Sequence, residues 1–196
     1  MGLDYSYEIL LPTENVAGAL LELTKLAPPT RAVPPLTVTL PGGDELVLPF
    51  TSHFESEPVD CSTTGRLQLD TSIMFAVDDV VDKFDSGAAR DELGRIQIGY
   101  IYLTVRFAPA PHPRFASMGF MAATTGMSLL FEQSESVRTV FTDLAAASGG
   151  VCCLLDTESD VLQVCWLNGR PVRDTVPGPR FAHYRDLVAS WPGQDE

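Results

Sequence analysis

The stretch His53-Phe54-Glu55-Ser56-Glu57-Pro58-Val59-Asp60-Cys61 is the best metal-binding candidate in the chain. In an extended backbone alternate residues point the same way, so His53, Glu55 and Glu57 share one face. A neutral imidazole with carboxylates can hold a divalent transition metal. The spacing matches no standard site, and a solvated acidic loop is the competing reading.

Other acidic groups point to structure rather than chemistry. Asp156-Thr157-Glu158-Ser159-Asp160 alternates acids as a weak Ca²⁺ chelator would, but lacks the glycine and the final glutamate of an EF-hand loop. Asp and Ser are good turn formers, so a hairpin tip is expected there. Asp78, Asp79, Asp82, Asp85, Asp91 and Glu92 read as a solvated face. A nucleophile–base pair is hard to assemble from the three histidines, His53, His112 and His183. The chain has neither a G-x-S-x-G elbow nor a glycine-rich phosphate loop.

Aromatic residues on strands are the remaining signal. In the strand expected over 95–107, Tyr100, Tyr102, Thr104 and Arg106 share a face, here grouped with Ile96 and Ile98. Tyr5 and Tyr7 share a face of the first strand. Such a stripe offers apolar walls with a few polar contacts, the composition of a ligand groove. A core face whose hydroxyls reach the rim is the competing reading.

Charge narrows the partners. The 196 residues carry 13 basic and 26 acidic groups, a net charge of −13, and no basic cluster is present. Nucleic acid and anionic membranes both require one, so neither is expected as a partner. No apolar run approaches the roughly 18 residues of a membrane-spanning helix. Met1-Gly2-Leu3-Asp4-Tyr5 lacks the basic and apolar regions of a signal peptide, so a cytoplasmic location is expected. Eleven Arg against two Lys, with abundant Ala, Gly and Pro, suggest a GC-rich bacterial genome. Cys61, Cys152, Cys153 and Cys165 form no C-x-x-C pair; the last three lie in apolar runs, and Cys153 and Cys165 could face each other across a hairpin. In a reducing compartment they stay thiols. Hydrophobic residues reach 45%, enough for a core without disulfide or metal.

The elements follow from pattern. A strand is expected over 5–11 and a helix from an N-cap at Thr13 to before Pro28-Pro29. A hairpin is expected around Pro41-Gly42-Gly43-Asp44, and 51–65 is read as irregular. Leu67, Leu69, Thr71, Ile73 and Phe75 alternate with Gln68, Asp70 and Ser72, which marks a half-buried strand. Strands over 95–107, 115–124 and 127–132 follow, then a helix capped by Ser134 and ending at Gly149-Gly150. A hairpin spans Asp156–Asp160, Asn168-Gly169 marks a turn, and a short helix covers 182–190.

Thr13-Glu14-Asn15-Val16 aligns with Ser134-Glu135-Ser136-Val137, and the hairpins that follow align too. The expected fold is therefore a single α+β domain over 1–196, with a largely antiparallel sheet and two main helices. It is drawn as two βαββ modules, 5–50 and 127–167, joined by three central strands. This order resembles the duplicated βαββ effector-binding domains of bacterial regulators, without any motif that assigns the family. The expected function is a cytoplasmic, non-enzymatic binding protein whose acidic surface captures a protein partner, as inhibitor or immunity proteins do. The alternative is a small-molecule-binding domain using an aromatic groove between the modules, with Tyr7, Tyr100, Tyr102 and Arg106. A weaker alternative is a metal-dependent hydrolase centred on His53, Glu55 and Glu57. No cofactor is expected.

Overall fold

The structure is a computed structural model that describes residues 2–29, 34–53, 57–108, 114–178 and 182–192. Its strands are β1 (Ser6–Pro12), β2 (Leu36–Thr39), β3 (Glu45–Leu48), β4 (Thr51–Ser52), β5 (Val59–Asp60), β6 (Arg66–Phe75), β7 (Ile96–Arg106), β8 (Phe115–Ala122), β9 (Cys152–Asp156), β10 (Val161–Leu167) and β11 (Arg170–Pro177). Its helices are α1 (Val16–Thr24), α2 (Asp79–Phe84), α3 (Thr125–Gln133), α4 (Glu135–Ala147) and α5 (Ala182–Ala189). No helix among the described residues is long and apolar enough to cross a membrane.

Eight strands form one antiparallel sheet in the order β11-β10-β9-β1-β8-β7-β6-β4. A three-stranded sheet, β3-β2-β5, is separate in its hydrogen bonding but packs Leu36, Val38, Leu48 and Val59 into the same core. The α+β class and the antiparallel sheet are as the sequence predicts. The alternation over 67–75 holds residue by residue: Leu67, Leu69, Thr71, Ile73 and Phe75 are buried, whereas Gln68, Asp70 and Ser72 are half-buried.

The inner face of the large sheet packs against α3 and α4, with α1 on α4. Val16, Ala19, Leu20 and Leu23 of α1 are spaced for one helical face and are all buried. Phe141 of α4 lies at the centre of the core, between Tyr7 of β1, Phe120 of β8 and Phe131 of α3. The outer face is covered differently. Val188 and Trp191, in and just beyond α5, pack on Leu10, Phe115, Cys152, Leu154, Leu162 and Val164. Residues of β6, β7 and β8 beyond Phe115 are absent from that cluster, so among the described residues α5 does not reach that half of the outer face.

The sheet edges are blunt. β4 has two residues, and β11 carries Pro171, Pro177, Arg173 and Asp174. Short strands, proline and charge all oppose pairing with a further strand.

Several expectations are corrected. Residues 127–132 form a helix, not a strand. The Thr124 hydroxyl accepts from Met127 N at 3.3 Å and caps it, and Met127, Leu130 and Phe131 recur at helical rather than alternating spacing. The strand that precedes α3 and α4 is β8, which neighbours β1. The two hairpins also sit differently, β2–β3 in the small sheet and β9–β10 in the large one. Thr13 does not cap α1. Its hydroxyl donates to Phe107 O and Arg114 O, and a turn of 3₁₀ helix over Thr13–Asn15 leads into α1. The polar stretch 51–65 contains β4 and β5, and the edge strand β11 follows the Asn168-Gly169 turn.

A bulge in β7 separates Ile96 and Ile98 from the tyrosines. Between Met74 and Ser72 on β6, the partner strand advances from Gln97 to Tyr100, three residues against two. Ile96 and Ile98 therefore face the core while Tyr100 and Tyr102 face outward. Gly99 holds the bulge with φ +129°, and an added Cβ would lie 2.8 Å from Met127 Sδ. Gly99→Ala is expected to lose about 1–3 kcal/mol of stability, as a strained backbone does. Gly119→Ala, whose added Cβ would meet nothing closer than 3.8 Å, is the comparison. Urea unfolding of the two variants measures the difference.

Candidate functional site

The half of the outer face that α5 does not reach is built by register. On β7 the outward residues are Tyr100, Tyr102, Thr104 and Arg106. Tyr102 stands between Asp70 on β6 and Met121 on β8. Thr104 stands between Gln68 and Gly119, and Arg106 between Arg66 and Ser117. Glu8 of β1 lies opposite Gly119 and closes the row. A period-two strand places these groups side by side without further help.

Two features give the face its chemistry. Tyr100 is 57% exposed and Met121 40%, so the face presents two large apolar groups to solvent. Beside them, His53 Nδ1 lies 2.5 Å from Asp70 Oδ1, and its ring sits tilted by 47° against that of Tyr102 with centroids 4.8 Å apart. The backbone holds His53 there: its N–H donates to Gln68 O at 3.0 Å and extends the β4–β6 pairing by one residue. Ser117 donates to Glu8 Oε1 at 2.5 Å.

The Ser117 and His53 side chains are not placed as a nucleophile and its base. The Ser117 hydroxyl and the His53 imidazole are tied to different carboxylates. They also sit three strands apart, about 14 Å at a spacing of about 4.8 Å. A base must lie within hydrogen-bond reach of its nucleophile.

The predicted site residues separate. Tyr100, Tyr102 and Arg106 come together on the open face. Tyr7 does not join them. It points through the other side of the sheet, fully buried, and stacks on Phe141 with ring centroids 4.3 Å apart. Its hydroxyl donates to Phe131 O at 2.8 Å, one of the last carbonyls of α3, which have no partner within the helix. Burial pushes the phenol well above its ordinary range. Of the metal candidates, His53 pairs with Asp70, and Glu57 accepts from Ser52 N at 3.2 Å and Ser52 Oγ at 3.3 Å. Glu55 lies outside the described residues, as does His112. Among the described residues no group of three His, Cys, Asp or Glu side chains is arranged to hold a metal.

Several of the remaining acidic groups serve turns and caps. Asp156 accepts from Glu158 N at 2.8 Å within the hairpin tip. Asp91 closes its loop by accepting from Leu93 N, Arg95 N and Arg95 Nε. Burial opposes its ionisation, but these donors outweigh burial and hold the carboxyl below its usual range.

Sequence reasoning missed His53 and Asp70 as a pair, because the contact joins residues 17 apart across β4 and β6. It also missed a cleft of about 890 Å³ at the far end of β1 and β8, lined by Pro12, Thr13, Phe107, Arg114 and Phe115 among others. Comparison with family models, with curated proteins and with solved structures finds no match. The reading of the site therefore rests on its own chemistry.

Proposed function

We propose that the chain is a non-enzymatic binding protein of the inhibitor or immunity type, which docks a basic protein partner on the open half of its large sheet. One observation carries this: Tyr100, Tyr102, Met121 and Arg106 stand together on a face that no helix among the described residues covers. Tyrosine, methionine and arginine are enriched at protein interfaces, and tyrosine and arginine dominate their binding energy. The net charge of −13 favours encounter with a positively charged surface.

The test is affinity capture with the whole chain as bait, at low and at high ionic strength, beside a Tyr100→Ala/Tyr102→Ala variant. The expected result is a partner held at low salt, weakened by added salt, and bound at least about thirtyfold less tightly by the variant. Binding that survives both changes would refute the reading. The variant should fold normally, since Tyr100 is mostly exposed and Tyr102 half-exposed.

The same face supports a second reading as a small-molecule site. The His53–Asp70 pair against the Tyr102 ring provides a charged group beside an aromatic wall. Native mass spectrometry separates the two readings. A mass that is retained under native conditions and lost on denaturation favours the small molecule.

A further inference from the structure

On the other side of the sheet, β9 and β10 bring two thiols to neighbouring positions. Val164 pairs with Leu154 and Trp166 with Cys153, so Cys165 is the extra residue of a bulge. The bulge turns Cys165 to the same side as Cys153, and both belong to the inner core cluster; Cys152 belongs to the outer one. Cys153 and Cys165 are neighbours on that side, and the Cys165 thiol donates to Gln163 O at 3.8 Å. A cleft of about 320 Å³ leads to Cys165 between Arg138 and Arg173. Arg138 is fixed there by donating to Gln163 Oε1 at 2.7 Å.

Two buried thiols in an apolar core are ordinarily inert. These differ in three ways: they are neighbours on one side of the hairpin, one lines a cleft, and that cleft carries two guanidinium groups beside the Glu135 carboxylate, which pairs with Arg173. The neighbouring Cys153 thiol pushes the Cys165 thiol down, burial opposes it, the two arginines assist, and the Glu135 carboxylate opposes them. Burial pushes Cys153 up.

We propose that Cys165 and Cys153 form an oxidisable pair, with Cys165 the group that meets a hydroperoxide entering the cleft and Cys153 the group that resolves it. In the first step the Cys165 thiolate attacks one peroxide oxygen. A sulfur–oxygen bond forms, the oxygen–oxygen bond breaks, and hydroxide leaves from hydrogen peroxide, or alkoxide from an organic hydroperoxide. In the second, the Cys153 sulfur attacks the Cys165 sulfenic acid, its proton leaves with the displaced hydroxide as water, and a disulfide forms. Peroxide is the oxidant and the two thiols are the reductant. The bridge would lock the β9–β10 hairpin beneath α4. This site is independent of the docking face.

The experiment treats the folded, reduced chain with hydrogen peroxide, blocks remaining thiols in denaturant, and maps the peptides by mass spectrometry. The expected product is a linked pair of peptides containing Cys153 and Cys165, lighter than the separate thiols by about 2 Da for the two hydrogens lost. Cys61 and Cys152 remain alkylated. Cys153→Ser is expected to stop at a sulfenic acid on Cys165, trapped by a dimedone-type reagent. Arg138→Gln is expected to slow oxidation severalfold. The proposal fails if the folded wild-type chain keeps all four thiols, if the bridge joins Cys152 to Cys153, or if oxidation is no faster folded than in denaturant. The wild-type map alone decides the point should a variant not fold.

Discussion

Phe141→Ala is expected to lower the unfolding free energy by about 4 kcal/mol, within the range for truncating a buried aromatic ring. Phe141 is fully buried on α4. Its ring meets Tyr7 at 4.3 Å, Phe120 at 5.1 Å, Phe131 at 5.4 Å and Phe75 at 6.2 Å between centroids. Those partners lie on β1, β8, α3 and β6, so one ring joins the helical layer to three strands and a second helix. Truncation leaves a cavity walled by other aromatic rings, which collapse poorly because their own positions are fixed from several sides. Chemical unfolding followed by far-UV circular dichroism measures the loss. Phe84→Ala is the comparison. Phe84 is 41% exposed and should cost much less. A loss for Phe141→Ala no larger than for Phe84→Ala would mean that the aromatic cluster does not hold the layers together.

The contrast between Phe141 and Tyr7 shows what a sequence can and cannot reveal. Periodicity states which residues share a face of a strand, but not which face meets the core. Over 67–75 the alternation is polar against apolar, so the buried side is evident. In β1 both sides are apolar enough to be buried, Tyr7, Ile9 and Leu11 on one and Leu10 on the other. A tyrosine there can be read as lining a groove when its hydroxyl is satisfied by a helix carbonyl 124 residues away. Tyr100 and Tyr102 were legible as a stripe. Their separation from Ile96 and Ile98 was not, because one extra residue at Gly99 shifts the phase of the whole strand. The helix over 127–132 hid behind a short apolar run that periodicity alone assigns to either element. β11 hid for the opposite reason. It is an exposed, charged edge strand flanked by prolines, with little of the apolar pattern that marks a strand.

Asp78 is the acidic residue whose role the sequence least betrays, and its replacement carries the second large effect. It lies in a run that reads as a solvated face, yet its carboxylate caps two helices. Oδ1 accepts from Val80 N at 3.0 Å and Val81 N at 2.9 Å, which starts α2. Oδ2 accepts from Ser134 Oγ at 2.7 Å and Ser136 N at 3.0 Å, which supports the start of α4. Ser134 in turn caps α4 by accepting from Val137 N at 3.1 Å. A single cap contributes about 1 kcal/mol, so Asp78→Ala is expected to cost about 2 kcal/mol at neutral pH. Asp79→Ala, one residue along and exposed, should stay within about 0.5 kcal/mol of wild type. Burial works against ionisation of Asp78, but the donors from Val81, Ser134, Ser136 and Val80 outweigh it and bring the pKa down to about 2. Because the folded pKa lies below the ordinary aspartate value of about 3.9, folding favours the charged form. The stabilisation is therefore complete above about pH 4 and disappears as pH falls through about 2. Urea midpoints between pH 5 and pH 2 should fall more steeply for wild type than for Asp78→Asn, which starts lower and has no such proton to gain. Parallel midpoint curves would mean that the carboxylate, rather than its shape alone, contributes nothing at the junction of α2 and α4.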